Sequence, residues 1–215
     1  MFNIICVKFG KKYSSDFVNK LHMDLLSYNP LNPFKFHCYT DDPEGINNSI
    51  NIINPIGPTL KGVWNKLALF SEEFPIREEN IYLDLDVCIS NDITSWAGYF
   101  DWDKLSIVHA PWKDNKKRYG RLSSYDVIHH SSVMVWQNNV HHIWEHFNSG
   151  LRDYYMRKYV GIDRFLAHED IEVAYLPNNF TMSKKYQKRE QYEFTPAILT
   201  YEEIDVQISD LLPCD

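Results

Sequence analysis

Hydrophobic and polar positions along the chain follow two periods, one typical of strands and one typical of helices. Runs that are apolar or strictly alternating predict strands over 2–9, 34–40, 51–54, 81–89, 105–109, 133–136 and 173–176. Apolar residues that recur every three or four positions predict helices over 16–28, 63–74, 140–159 and 162–167. Because strands alternate with helices, we expect an α/β layer fold with a central, mostly parallel sheet flanked by helices.

One domain is expected over residues 1–215, because no repeat, low-complexity tract or linker rich in glycine or serine divides the chain. A chain of 215 residues is long enough to bury a self-sufficient core. The segment over about 181–215 is rich in charge, and we expect it to form a loosely packed tail.

Composition narrows the classes of partner. Lys and Arg total 22 and Asp and Glu total 29, and the net charge of −7 disfavours a nucleic-acid partner. No apolar run approaches the ~20 residues that span a bilayer, and the first residues resemble a strand rather than a signal peptide. The cysteines are widely spaced, and three of the four lie in strand-like runs, as in a reducing compartment. We therefore expect a cytoplasmic protein without a membrane span.

The clearest predicted strand, 81–89, places two carboxylates on one face. Side chains alternate along a strand, so Asp84 and Asp86 would lie about 6.6 Å apart on the same side. At an effective dielectric constant near 20, two such charges repel each other by about 2.5 kcal/mol. A divalent cation such as Mn²⁺ or Mg²⁺ relieves that repulsion and bridges to substrate phosphates. The alternative is a polar strand face in contact with water, because a D-x-D pattern alone is a weak signal.

The segments around this strand carry a resemblance to a known family. The strand ends in Tyr-Leu-Asp-Leu-Asp, and it lies between the segment 62–67 and the segments 130–136 and 161–165. In this order, these segments resemble nucleotide-sugar glycosyltransferases of the GT-A fold, which is Rossmann-like, including small bacterial enzymes and domains of algal (chlorella) viruses. The resemblance covers most of residues 2–180. It implies a nucleotide-binding part over about 1–90 and a part for donor sugar and acceptor over about 91–180.

The resemblance also implies roles for individual residues. Asp84 and Asp86 would hold the metal that binds the diphosphate of a UDP-sugar, and Asp84 would also reach toward the ribose. Asp163 would lie near the reacting carbon, and with Asp86 it is the predicted catalytic pair. Contacts with the nucleotide and the donor sugar are expected from Val7, Lys8, Tyr13, Asp41, Lys66, Asp84 and Ser132.

Several of these residues also have a purely structural interpretation. The alternatives are a packing role for Tyr13, a turn for Asp41 and for Ser132, a solvated lysine for Lys66, and a carboxylate at a helix start for Asp163. The family's late H-x-x-G-x-x-K segment does not occur in this sequence. The third metal ligand therefore stays open between water and His109, His168 or Asn178–Asn179.

The sequence also contains a competing metal pattern. Residues 142–146 read H-x-x-E-H, the pattern of an inverted zinc-protease motif, and they place His142 and His146 one helical turn apart. The apolar residues of the same helix argue against this interpretation, because they form its buried face and leave the histidines at its polar edge.

We expect transfer of a hexose from a UDP-sugar resembling UDP-glucose to a hydroxyl of a glycan or glycoprotein, with retention on resemblance alone. Inverting transfer with Asp163 as the base is the alternative course of the same reaction. Two other classes stay open, which are metal-dependent nucleotidyl or phosphoryl transfer and a sugar-nucleotide binding module without turnover.

Overall fold

A computed structural model describes residues 1–31, 33–110, 127–184, 196–201 and 207–211. The strands are β1 Phe2–Lys8, β2 Phe34–Thr40, β3 Asn51–Ile53, β4 Asn80–Leu83, β5 Val87–Ile89, β6 Leu105–His109, β7 His129–Trp136, β8 Val173–Tyr175, β9 Thr181–Ser183 and β10 Ile198–Thr200. The α-helices are α1 Ser15–Tyr28, α2 His141–Asn148, α3 Arg152–Lys158 and α4 Ile162–His168. Short 3₁₀ helices cover Gly62–Phe70, Thr94–Tyr99, Asn138–Val140 and Ile208–Leu211. Within these ranges, no helix is both long and apolar enough to cross a bilayer.

Seven strands form the central sheet in the order β3-β2-β1-β4-β7-β6-β8. Strands β1 to β4 run parallel to their neighbours among themselves, β7 runs antiparallel to β4 and to β6, and β8 is parallel to β6. The carboxyl ends of β1, β2, β4, β6 and β8 therefore meet the amino end of β7 along one margin, which we call the carboxyl edge. The predicted α/β architecture with a mostly parallel central sheet is confirmed.

Alternate residues of the sheet contribute their side chains to two different core layers. Ile4 and Cys6 of β1 belong to the layer that contains the buried residues of α1, whereas Ile5 belongs to the layer under the later helices. Cys6, Cys38 and Cys88 are buried free thiols, so they act as small apolar side chains. The apolar residues lie in these layers, and polar residues lie at the carboxyl edge.

The single strand predicted over 81–89 is wrong. Strand β4 ends at Leu83, residues 84–86 form a turn, and β5 begins at Val87 in a different, three-stranded sheet. The cause is a change of partner, because β4 pairs with β7 whereas β5 pairs with β10. Asp84 and Asp86 therefore occupy a turn between two sheets, and the expected shared strand face does not exist.

The loosely packed tail expected after about residue 180 is also wrong for the residues described there. Strands β9 and β10 are buried and form the three-stranded sheet with β5 in the order β5-β10-β9. Met182 and Leu199 pack with Cys88, and Ile198 joins the core layer of α1. These apolar contacts explain why β9 and β10 pack beside β5.

The helix predicted over 140–159 divides into α2 and α3. Gly150 separates them with a φ of +92°, a left-handed conformation that glycine adopts readily and that an α-helix cannot contain. The helix predicted over 63–74 is a 3₁₀ helix that ends at Phe70. Its Leu67 is buried as expected, but Val63 is half exposed, so the predicted apolar face is only partly correct.

Candidate active site at the carboxyl edge

Asp84 follows β4 directly, and several contacts fix its position. Its backbone N–H donates to the carbonyl of Ser132 at 2.8 Å. Its Oδ1 atom accepts a hydrogen bond from the Tyr82 hydroxyl at 2.5 Å and lies 2.6 Å from Lys66 Nζ. Burial raises the pKa of Asp84, Lys66 opposes that rise, and the nearby charge of Asp86 adds to it. Asp84 is therefore a carboxylate whose charge depends on a neighbouring ammonium group.

Lys66 is not the solvated helical lysine that one interpretation of the sequence allowed. Only 8% of its surface is exposed. Besides the ion pair with Asp84, its ammonium group donates to the carbonyl of Ser131 at 3.3 Å and lies 5.1 Å from the centre of the Tyr82 ring. Lys66 therefore lies beside the D-x-D segment, where its positive charge offsets part of the expected repulsion between the aspartates. Its predicted contact with the nucleotide stays a prediction.

Asp86 accepts hydrogen bonds from two segments that are far apart in the sequence. The Tyr13 hydroxyl donates to Asp86 Oδ2 at 2.7 Å, and the Tyr201 backbone N–H donates to the Asp86 carbonyl at 3.3 Å. The ring of Tyr13 packs edge-on against Phe17 at 5.0 Å. Burial and the charge of Asp86 raise the pKa of Tyr13, so this phenol stays a neutral donor. Tyr13 therefore has a packing contact and a contact with the predicted metal ligand at the same time.

The amino end of β7 brings the predicted sugar-site residues to the same place. The Ser131 N–H donates to Asp163 Oδ1 at 2.9 Å, and Ser132 Oγ lies 2.6 Å from His130 Nδ1. Asp163 lies in the first turn of α4, where the helix dipole also favours its charge. Asp163, Ser132, Lys66 and Asp84 are thus linked by one continuous set of contacts across β7 and β4.

The predicted nucleotide contacts of β1 and β2 lie on the same edge but have different partners. Lys8 is buried, and its ammonium group donates to the Asp42 carbonyl at 3.0 Å. Asp41 accepts from the Gly10 backbone N–H at 3.3 Å, and Val7 packs with the core layer of the later helices. In the described part of the chain, these polar contacts tie the ends of β1 and β2 to each other and not to the D-x-D turn.

Neither a family model nor a curated protein sequence matches the chain. Solved glycosyltransferase structures do match it. Galactosyltransferase LgtC in complex with donor and acceptor sugar analogues matches with a TM-score of 0.67 at 13% identity, over 94% of this chain and 87% of that one. The protein has the GT-A glycosyltransferase fold. Glycosyltransferase GlyE of Streptococcus pneumoniae TIGR4, in its apo form, gives 0.62 at 14% identity, over 94% of this chain and 55% of that one.

A third neighbour matches over nearly the full length of both chains. Mouse xyloside xylosyltransferase 1, in its apo form, matches with a TM-score of 0.53 at 11% identity, over 96% of this chain and 99% of that chain. Because these identities are low, the comparison establishes the fold, and individual residues must be judged from their own geometry.

The residues of the D-x-D turn fit a divalent cation that takes some of its ligands from the protein and the others from a diphosphate. Carboxylate oxygens are hard ligands, and Mg²⁺ is commonly held by one or two carboxylates together with substrate phosphates and water. Among the described residues, no group of three His, Cys, Asp or Glu side chains is arranged to hold a metal ion. Asp84 and Asp86 therefore offer two carboxylates of the kind that such an ion takes from a protein.

No contact of the third-ligand candidates with the two aspartates is found in the described part of the chain. His109 packs beside Tyr175 with ring centres 4.8 Å apart, and His168 stacks on Tyr159 at 5.7 Å. Asn178 and Asn179 are exposed after β8. The structure therefore brings none of the named candidates into the contacts described for Asp84 and Asp86.

The competing zinc pattern has other partners in the structure. His142 Nδ1 lies 3.2 Å from the carbonyl of Asn139, and His146 Nε2 lies 3.2 Å from Glu169 Oε2. Glu169 also accepts from Tyr159 and Lys158. His146 thus belongs to an acid-centred network that links α2, α3 and the end of α4, and the zinc-protease interpretation gains no support.

Three further residues contact the predicted site, namely Tyr82, His130 and Tyr201. In an alternating strand Tyr82 lies on the same face as Asp84, which is a usable signal because its hydroxyl reaches Asp84. Tyr201 follows a short apolar run, Ala197–Thr200, whose strand character was the available signal. For His130, residue type and position alone gave no indication.

Proposed function

We propose that this protein is a metal-dependent glycosyltransferase that moves a hexose from a UDP-sugar, such as UDP-glucose, to a hydroxyl of a glycan or glycoprotein. The observation that carries the proposal is the position of Asp84 and Asp86 at the carboxyl edge of a GT-A sheet, beside the buried Lys66. Ligands of open α/β sheets bind at this edge. The likeness in fold to a galactosyltransferase crystallised with donor and acceptor sugar analogues supports the same class of substrate.

Each residue of the site has a role in this proposal. Mn²⁺ or Mg²⁺, when bound, would stabilise the negative charge that grows on the departing diphosphate. Asp84 and Asp86 would hold that ion, and the hydroxyl of Tyr13 orients the carboxylate of Asp86. Lys66 supplies a fixed positive charge next to the same position without any reorganisation.

The contacts of Asp163 favour retention over inversion. An inverting enzyme needs a carboxylate base beside the acceptor hydroxyl. Asp163 Oδ1 accepts the Ser131 N–H, so this oxygen is already engaged with the backbone at the start of β7. In the retaining course, the bond between the sugar and UDP breaks, and the acceptor oxygen attacks from the same face. The acceptor proton then passes to an oxygen of the departing diphosphate. Asp163 would act by positioning the Ser131–Ser132 segment.

The remaining predictions concern other properties of the protein. Nucleotidyl or phosphoryl transfer would require a further cluster of carboxylates, which the described residues do not provide. The cytoplasmic location, the absence of a nucleic-acid partner and the likeness to algal-virus domains stay predictions from the sequence.

The test is release of UDP from UDP-glucose, UDP-galactose and UDP-N-acetylglucosamine with Mn²⁺, and with EDTA in parallel. We expect metal-dependent release by the wild type and its loss in the double variant Asp84→Asn, Asp86→Asn. Glu145→Gln is the matched control, because it removes an exposed carboxylate of α2 away from the turn. Binding of a UDP-sugar without release would indicate a binding module, and neither binding nor release of any UDP-sugar would overturn the proposal.

A further inference from the structure

Three ring side chains from three different strands meet at one end of the carboxyl edge. They are His109 at the end of β6, His129 at the start of β7 and Tyr175 at the end of β8, and we call them the His-Tyr corner. The ring centre of Tyr175 lies 4.8 Å from that of His109 and 5.7 Å from that of His129. The Tyr175 hydroxyl also lies 3.2 Å from His129 Nδ1. Both histidines therefore restrict the position of the tyrosine ring.

Tyr175 is held in place although it contributes little to the core. The side chain is 42% exposed, and β8 is the outermost strand of the sheet. Ordering a side chain costs conformational entropy, which burial normally offsets. For an exposed tyrosine ring, binding of a ligand can offset the same entropy cost, because the ring offers an apolar face and a polar hydroxyl to the ligand.

The His-Tyr corner is continuous with the proposed site. His129 is followed by His130, which contacts Ser132, and the Ser132 carbonyl accepts the N–H of Asp84. Strand β8 lies three strands from β4 in the sheet, a separation of about 14 Å at the usual strand spacing. A short oligosaccharide that lies along the edge covers this distance.

We propose that His109, His129 and Tyr175 form a subsite for the acceptor glycan, where they contact a sugar ring adjacent to the one that receives the hexose. The inference rests on the proposed function and adds the part of the acceptor that the protein recognises. Ring faces pack against the C–H faces of a pyranose, and imidazole nitrogens and the phenol bind its hydroxyl groups. The three side chains of the corner are imidazoles and a phenol, which bind the hydroxyl groups of a neutral oligosaccharide.

The test compares acceptors of different length in the wild type and in Tyr175→Leu. The probes are methyl β-galactoside, methyl α-glucoside and methyl β-glucoside as monosaccharides, and lactose, maltose and cellobiose as the corresponding disaccharides. Saturation-transfer NMR with UDP and diamagnetic Mg²⁺ identifies the disaccharide that the wild type binds. We expect its KM to rise about tenfold in Tyr175→Leu, which corresponds to about 1.4 kcal/mol, while the KM of the corresponding monosaccharide changes little.

Controls separate recognition from folding. Tyr175→Phe keeps the ring and should keep most of the affinity, and Tyr154→Leu removes another exposed tyrosine, on α3, as the matched control. Equal changes in KM for both acceptor lengths, a parallel loss of UDP release without acceptor, or no binding of any disaccharide by the wild type would each overturn the subsite. If the wild type neither binds nor cleaves any UDP-sugar, the proposed function itself fails.

Discussion

Lys66 and Asp84 form an ion pair of 2.6 Å between a 3₁₀ helix and the end of β4, with side-chain exposures of only 10% and 24%. Removal of a charge from water is costly, and two buried charges offset part of this cost only as long as both are present. The two residues therefore depend on each other, in stability as well as in the charge that they carry at the proposed site.

The first prediction concerns Lys66→Met, which leaves Asp84 buried without its ammonium partner. We expect the free energy of unfolding at pH 7 to fall by about 2 kcal/mol, and UDP release to fall with it. The loss should be smaller in acid, because the pKa of Asp84 is raised and protonation then removes the unpaired charge. Urea unfolding at pH 7 and in acid measures both effects. Lys61→Met, at an exposed position, is the control, and an equal loss in both variants would contradict the prediction.

The second prediction concerns Tyr13→Phe, which removes the hydrogen bond to Asp86 and keeps the ring packed on Phe17. Partners that orient a metal ligand typically change metal affinity by about 10- to 100-fold. We expect Mn²⁺ to bind about tenfold more weakly in the presence of UDP, as measured by electron paramagnetic resonance of the free ion. Tyr99→Phe, at a highly exposed tyrosine, should bind like the wild type. Unchanged affinity in Tyr13→Phe would show that the hydroxyl does not orient Asp86.

The third prediction is a loss of stability in mild acid caused by His37. Burial, assisted by the charge of Lys35, lowers the pKa of His37 to about 4 from an ordinary value of 6.5. The unfolded chain therefore takes up a proton first, and stability falls as the pH drops from about 6.5 to about 4, by up to ~3 kcal/mol. Urea unfolding at several pH values checks this, and His37→Gln should flatten the decline. A decline of the same size in His37→Gln would assign it to other groups.

The fourth prediction concerns Glu169, the centre of the network between α2, α3 and α4. Burial alone would raise the pKa of Glu169, but hydrogen bonds from Tyr159, Lys158 and His146 lower it to about 2. A lowered carboxyl pKa stabilises the fold above the ordinary value near 4.5, and this contribution is lost as the pH falls toward 2. Because Lys158 and His146 are partly exposed, we expect Glu169→Gln to cost only about 1 kcal/mol at pH 7.

Unfolding of Glu169→Gln by urea at pH 7 and pH 3 provides the measurement. The difference from the wild type should shrink at the lower pH, and Glu145→Gln should show no such difference at either pH. A constant difference would mean that the network stabilises the fold through packing and not through charge.

The sequence predicted the order of strands and helices around the sheet because each element carries its own apolar period. It predicted Asp84 and Asp86 on one face of a single strand, whereas they lie between two strands that belong to different sheets. The alternation over 81–89 fits one long strand as well as two short strands, and only the distant partners β7 and β10 distinguish these cases. Pairing between distant segments leaves no local signal in a single sequence.

Lys66 shows a second limit of local patterns. With 3.6 residues per turn, it falls outside the apolar face of the predicted helix. In the structure every residue from Trp64 to Phe70 is buried, so the surrounding elements enclose Lys66 whatever its position on the helix, whereas Val63 at the start of the helix is half exposed. The local pattern therefore selected Lys66 but did not predict that it is buried.

The pairing of β5 with β10 has a consequence for synthesis on the ribosome. Ile89 pairs with Ile198, and Tyr201 holds the carbonyl of Asp86, so the turn acquires its second support from a segment translated long afterwards. Loop closure over such a separation is a slow event in folding. A nascent chain that already contains both aspartates would therefore still lack part of the support for the turn that holds them, and the proposed site would be completed only after β10 has been synthesised.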